Sequence, residues 1–163
     1  MEEELAALFG PTDSACGNLP WAVTDYYEKE MGAGLLRRFV SFAPLISPEA
    51  LAGIKLKTHG MEEGFQWVEG ERRGRRINID PGYLDGGKVV LASTKDASHR
   101  IYLRSGIYGE VTLLFQSGSF QPLAYTYPDY CWPESRSFFM ALRSLYLKQL
   151  KQDDSGADRS FSS

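Results

Sequence analysis

From Arg76 onward the apolar residues of this chain change their spacing. In "RINIDPGYLDGGKVVLASTKDASHRIYLRSGIYGEVTLLF", Ile77 and Ile79 alternate with Asn78 and Asp80. Ile101 and Leu103 alternate with Arg100 and Tyr102, and Val111, Leu113 and Phe115 with Glu110, Thr112 and Leu114. Alternation is the side-chain period of a strand, and a continuous run such as Val89–Leu91 is that of a buried one. Asp80-Pro81-Gly82 has type II turn chemistry, and "QSGS" before "FQPLAYTY" reads as a hairpin turn around Gly118. The tract therefore predicts antiparallel strands joined by short turns, with one face buried.

Helical spacing dominates elsewhere. "EEELAALFG" places Leu5, Leu8 and Phe9 on one face before Gly10-Pro11 stops it, and "TDSACGN" reads as loop. "LPWAVTDYY" reads as a short strand entering a helix, with Asp25 and Glu28 at capping-box spacing. Gly32 and Gly34 predict a break, followed by a fresh helix carrying Leu35, Leu36, Phe39 and Phe42. Ser47-Pro48-Glu49 supplies an N-cap, an N1 proline and an early acid. Leu51, Ile54, Thr58, Met61, Phe65 and Val68 then form one apolar stripe. "PESRSFFMALRSLYLKQLK" predicts a closing helix with Phe138, Leu142, Leu145 and Leu150 near one face. The expected architecture is an α+β fold, a mostly antiparallel sheet of about five strands with helices packed mainly on one face. Residues 1–151 form one domain in this reading, and the polar stretch 152–163 is a disordered tail.

With 163 residues, 43% of them hydrophobic, the chain can sustain its own core; a chain of this size buries about 70% of its unfolded surface. A formal charge of −3 argues against general nucleic-acid binding. The exception would be RNA contact through Arg72–Arg76, a run that reads first as a solvated hairpin tip. Cys16 and Cys131 have no C-x-x-C partner, so zinc is not indicated. No apolar run approaches the roughly 18 residues of a membrane span, and "MEEELAALFG" lacks the basic start of a signal peptide, so the expected location is the cytoplasm. P-loop, dinucleotide, nucleophile-elbow and H-E-x-x-H motifs are absent.

The polar residues of the period-two tract carry the functional reading. Parity puts Asn78 with Asp80, Arg100 with Tyr102, and Tyr108 with Glu110 and Thr112. Asn, Asp, Arg and Tyr in place of Lys and Glu fit ligand recognition, although cross-strand pairs such as Arg100–Glu110 on a solvated face would look alike. In "STKDASHR", Lys95, His99 and Arg100 are donors suited to a phosphate or carboxylate, and Asp96 is placed to orient the histidine. His99 is the natural proton carrier, with Asp80 and Glu110 as acid/base or metal-binding carboxylates. Oxygen donors of this kind, joined by Asp25, would select Mg²⁺, Mn²⁺ or Ca²⁺ over zinc. Two readings follow. One is a site for a phosphorylated or carboxylated small molecule, such as a nucleotide. The other is a non-enzymatic module that docks a protein partner or a second copy through a Tyr/Arg-rich face.

"TDYYEKEMG", the tract from Arg76 to Phe115 and "QPLAYTYPDY" resemble the signature blocks of the bacterial domain-of-unknown-function family 4416, in register from Trp21 to Arg143. The resemblance marks Asp25, Tyr26, Glu30, Lys55, Asn78, Asp80, Lys95, His99, Arg100, Tyr102, Glu110, Tyr127 and Asp129 as the matching polar positions and assigns them no role. Lys55 joins the candidate ligand-binding residues on this basis. Some similar chains are labelled GTP-binding. Similar chains also begin with an apolar strand, which implies that an N-terminal strand is missing here, and they carry Asn at the position of His59.

Overall fold

The N-terminal half folds as short strands nested around helical turns, and the C-terminal half builds the main sheet. The computed structural model describes residues 1–21, 23, 28–70 and 72–157. Helix α1 (Glu2–Phe9) leads into β1 (Thr12–Ala15) and β2 (Leu19–Pro20). After the short α2 (Glu28–Met31), β3 (Leu36–Arg37) pairs antiparallel with β2, and β4 (Val40–Phe42) with β1. Between the two pairings, Cys16 N–H donates to the Phe39 carbonyl and Phe39 N–H to Cys16 Sγ, both at 3.0 Å.

Two expectations are corrected here. "TDSACGN" contains a strand, and residues 35–42 form strands in place of a helix. The apolar positions suited a helix, but burial alternates: Leu36 and Arg38 face solvent, while Phe39 is buried and Arg37 nearly so.

A 3-10 turn (Pro48–Ala50) opens α3 (Leu51–Gly64), as Ser47-Pro48 predicts. The helix stops at Gly64, short of the expected stripe, because the chain turns into a hairpin of β5 (Gln66–Glu69) and β6 (Arg72–Arg75). The main sheet follows: β7 (Gly82–Leu84), β8 (Lys88–Ser93), β9 (Ile101–Arg104), β10 (Ile107–Gln116) and β11 (Ser119–Pro122). Its order is β11-β10-β8-β7, all antiparallel, with β9 also on β10. Ser105-Gly106 and Ser117-Gly118 close the two tight hairpins with positive φ at both residues, the backbone twist that suits adjoining strands. Helix α4 (Pro133–Ala157) is the last described element.

Strand β8 shows how the layers stack. Val89 and Leu91 enter a core with Phe39, Leu113, Phe120, Tyr130, Phe138 and Phe139. Val90 and Ala92 point the other way, onto Leu51, Ala52 and Ile107. The five-stranded α+β architecture is thus as expected, with more helical cover than expected, since α4 lies on one face and α3 on the other. Ile101 and Leu103, expected to face the core, are 74% and 42% exposed on β9, which pairs with β10 alone at the sheet border. Among the described residues no helix is long and apolar enough to cross a membrane.

Candidate functional site

The stretch 77–80 has the alternation of a strand, but among the described residues no strand pairs with it. Helix α3 takes that role with side chains. Lys55 and Glu62, seven residues apart, lie on one helix face. Lys55 Nζ donates to the Ile79 carbonyl at 2.7 Å, and Ile79 N–H donates to Glu62 Oε1 at 2.5 Å. Both side chains are buried, at 7% and 2% exposure, so each charge is held by a partner and both polar groups of the Ile79 backbone are satisfied. Lys55 is therefore occupied in holding the segment that carries Asn78 and Asp80. Ala92 N–H donates to the Pro81 carbonyl, which lays the segment beside the end of β8.

The first cluster forms around Glu110 on β10, 2% exposed. Arg100 Nε donates to its Oε2 at 2.6 Å, His99 Nε2 lies 3.2 Å from the same oxygen, and Thr112 Oγ1 donates to Oε1 at 3.3 Å. A buried carboxylate needs such partners to stay charged. The arginine is committed further: Nη1 donates to Ser93 Oγ and the Lys95 carbonyl, both at 2.9 Å, and Nη2 to the Tyr127 hydroxyl at 3.3 Å. Burial works against the Arg100 charge, but the bonds to Glu110 and Tyr127 hold its pKa above the ordinary value. His99 stacks on Tyr125, ring centres 4.1 Å apart. Glu110, not Asp96, is the carboxylate on the histidine. Lys95 is exposed.

A second cluster forms around Arg37 on β3. Nη1 donates to Asp80 Oδ2 at 3.1 Å, and Nε lies 2.6 Å from Oδ2 of Asp129, which is fully buried. This latter contact is an ion pair without hydrogen-bond alignment: neither Asp129 oxygen has an aligned donor among the described residues. Phe39, Tyr130 and Trp21 surround the guanidinium at 5.2, 5.5 and 6.0 Å from their ring centres. Burial pushes the Asp129 carboxyl above its usual range, with Arg37 pulling against it. Asn78 Nδ2 donates to Asp80 Oδ2 at 2.8 Å, and Asn78 Oδ1 accepts from Arg75 Nη1 at 2.9 Å; Arg75 in turn forks onto Glu30 at 2.6 and 3.1 Å. A polar chain thus runs from Glu30 to Asp129.

Two observations relate the clusters. The Tyr130 phenol, raised by burial, feels the charges of Arg37, whose guanidinium lies 5.5 Å from its ring, and of Asp80, Asp129 and Glu110. Pro128–Cys131, a 3-10 turn, holds Asp129 on one side while Tyr127, just before it, meets Arg100 on the other. Asn78, Asp80, His99, Arg100 and Glu110 are thereby gathered near one end of the sheet. Tyr102, 58% exposed, packs edge-on against Tyr108 at 5.4 Å and accepts from Gly106 N–H, outside both hydrogen-bonded clusters. Asp25 and Tyr26 lie outside the described residues. Among those described, no three His, Cys, Asp or Glu side chains converge as metal ligands. Two cavities lie elsewhere: about 640 Å³ between α1 and the end of α3, and about 370 Å³ beside the β5–β6 hairpin.

Sequence reasoning missed Arg37, Ser93 and Tyr125. Arg37 had one available signal, its place two residues before Phe39 in a segment whose glycines already argue against a long helix.

These features define a small α+β domain with two arginine–carboxylate clusters at one end of an antiparallel sheet. The chain matches the family described as a domain of unknown function (DUF4416) over residues 1–146, and belongs to it. No curated protein and no solved structure matches it.

Proposed function

We propose that the chain binds a phosphorylated or carboxylated small molecule beside His99 and uses that imidazole to move a proton. The supporting observation is the arrangement of Glu110: buried, neutralised by Arg100 and within 3.2 Å of His99 Nε2. A carboxylate acceptor fixes the tautomer with its proton on Nε2, leaves Nδ1 as the base, and stabilises the imidazolium once Nδ1 takes a proton. Nδ1 makes no hydrogen bond among the described residues. Arg100 orders the site and does not grip the ligand, since four of its contacts are internal. The attraction for an anion falls to exposed Lys95 and to the Tyr127 hydroxyl, which accepts from Arg100 and keeps its own proton to donate. A nucleotide such as GTP belongs to this ligand class. Mg²⁺ or Mn²⁺ would enter mainly as the ligand's counter-ion, because Asp80 and Glu110 are engaged by arginines.

The test is a thermal-shift screen of nucleotides, sugar phosphates and small carboxylates with Mg²⁺. A ligand at 100 times its Kd stabilises by about 2.7 kcal/mol, or roughly 5–10 °C in Tm for a chain of this length. Lys95→Ala should weaken the effect, and His99→Asn should abolish turnover of the ligand found while leaving its binding. Failure of every anion to shift Tm would overturn the proposal. The second reading, a protein-interaction module, is favoured by one observation: all four residues of β9 are exposed on a sheet border, Ile101 and Tyr102 strongly so. An Ile101→Lys, Leu103→Lys variant that sediments like the parent at high concentration would count against self-association through it.

A further inference from the structure

We propose a second ligand site, independent of His99, in the cavity of about 370 Å³ beside the β5–β6 hairpin, built for the paired ammonium and carboxylate of a free α-amino acid. Its volume is near the lower end of the roughly 300–1,000 Å³ typical of small-molecule sites. Glu30, Glu63, Gln66, Arg73, Gly74 and Arg75 line it. Among the described lining residues, two carboxylates balance two guanidiniums. A bare anion would meet Glu63 as well as Arg73, and a bare cation the reverse. A ligand with both charges, and none in sum, meets neither penalty.

The four charges divide into a closed pair and an open pair. Arg75 and Glu30 satisfy each other through two hydrogen bonds, and Arg75 also reaches Asn78, so this wall is rigid and neutral. Arg73 makes no ion pair among the described residues, and Glu63 has only a 3.9 Å contact with half-exposed His59. Arg73 therefore offers a fork to a carboxylate and Glu63 an acceptor to an ammonium. The Gln66 amide, with donors and an acceptor, completes the polar wall. The backbone of Gly74 packs so closely on the Glu30 carbonyl that a Cβ there would stand 2.3 Å from its oxygen, which fixes the wall between Arg73 and Arg75.

The experiment is titration calorimetry of the full chain with the twenty L-amino acids, then, for each that binds, with the matching amine and carboxylic acid. The expected result is saturable one-to-one binding of at least one amino acid, with its amine and acid at least tenfold weaker. Arg73→Ala and Glu63→Gln, both at exposed positions, should each weaken binding tenfold or more, and His99→Asn should leave it unchanged. The proposal is overturned if no amino acid binds, if the acid or amine alone binds equally well, or if binding survives both cavity substitutions. Loss with His99→Asn would also overturn it, by merging this site with the first.

Discussion

Replacing Asp129 by Ala removes the fully buried partner of Arg37. Breaking a buried ion pair from one side costs about 3–5 kcal/mol, because the remaining charge is left without compensation. Arg37 retains Asp80 and some solvent contact, and its contact with Asp129 is poorly aligned, so the low end applies: about 3 kcal/mol. At about 2–4 °C per kcal/mol for a chain of this length, Tm should fall by about 6–12 °C. Urea unfolding should show a lower midpoint with an unchanged slope.

The complementary variant, Arg37→Met, has a signature of its own. It leaves Asp129 in the core with no cation, and burial already holds that carboxyl above its usual range. A carboxyl whose folded pKa is raised favours the folded state below its unfolded value, near 3.8, and loses that contribution as pH rises through the folded value. Arg37→Met should therefore be destabilised little at pH 4 and increasingly towards pH 7. Arg37→Met combined with Asp129→Ala should cost less than the two single losses added together. An Asp129→Ala cost under about 1 kcal/mol, a pH-independent Arg37→Met, or an additive double variant would each refute the claim that this pair pins β3 to the Pro128–Cys131 turn.

Three further outcomes follow from the same structure. Glu62→Ala should cost about 2–3 kcal/mol and speed hydrogen exchange at the Ile79 amide, whose acceptor it removes, with global stability read by urea and the amide by NMR. Ser105→Asn and Ser117→Asn should each raise stability by about 0.5 kcal/mol in calorimetry, because Asn tolerates positive φ better than Ser, for which such a conformation costs roughly 1–3 kcal/mol. The fork from Arg75 holds the Glu30 carboxyl below its usual range, so the stability it contributes is complete above pH about 4.5 and is lost as pH falls through the lowered value. Arg75→Met should accordingly flatten the stability profile between pH 3 and 5, measured by urea unfolding.

Alternation made β10 legible, and an unbroken apolar run made β8 legible because that strand buries both faces, although β10 also buries Glu110 and Thr112. The Arg100–Glu110 pair was legible for a related reason: once β9 and β10 are read as neighbours, the two side chains come within reach. Where reading failed, a polar group stood in the place of an apolar one. Arg37 alternates with exposed Leu36 and Arg38 as an inward residue should, yet its charge disguises the period, and only the aromatic rings and Asp129 around it show that it is core. Ile79 failed in the opposite sense. Its segment alternates perfectly, but the partner that satisfies its backbone is a lysine and a glutamate from a helix some twenty residues earlier, which no periodicity encodes. Both failures place buried charge next to the candidate site, and that is physically coherent. A segment held by ladder hydrogen bonds is fixed in register with its neighbours, whereas one held by Lys55 and Glu62 can present Asn78 and Asp80 to Arg75 and Arg37 at an angle the sheet would not allow.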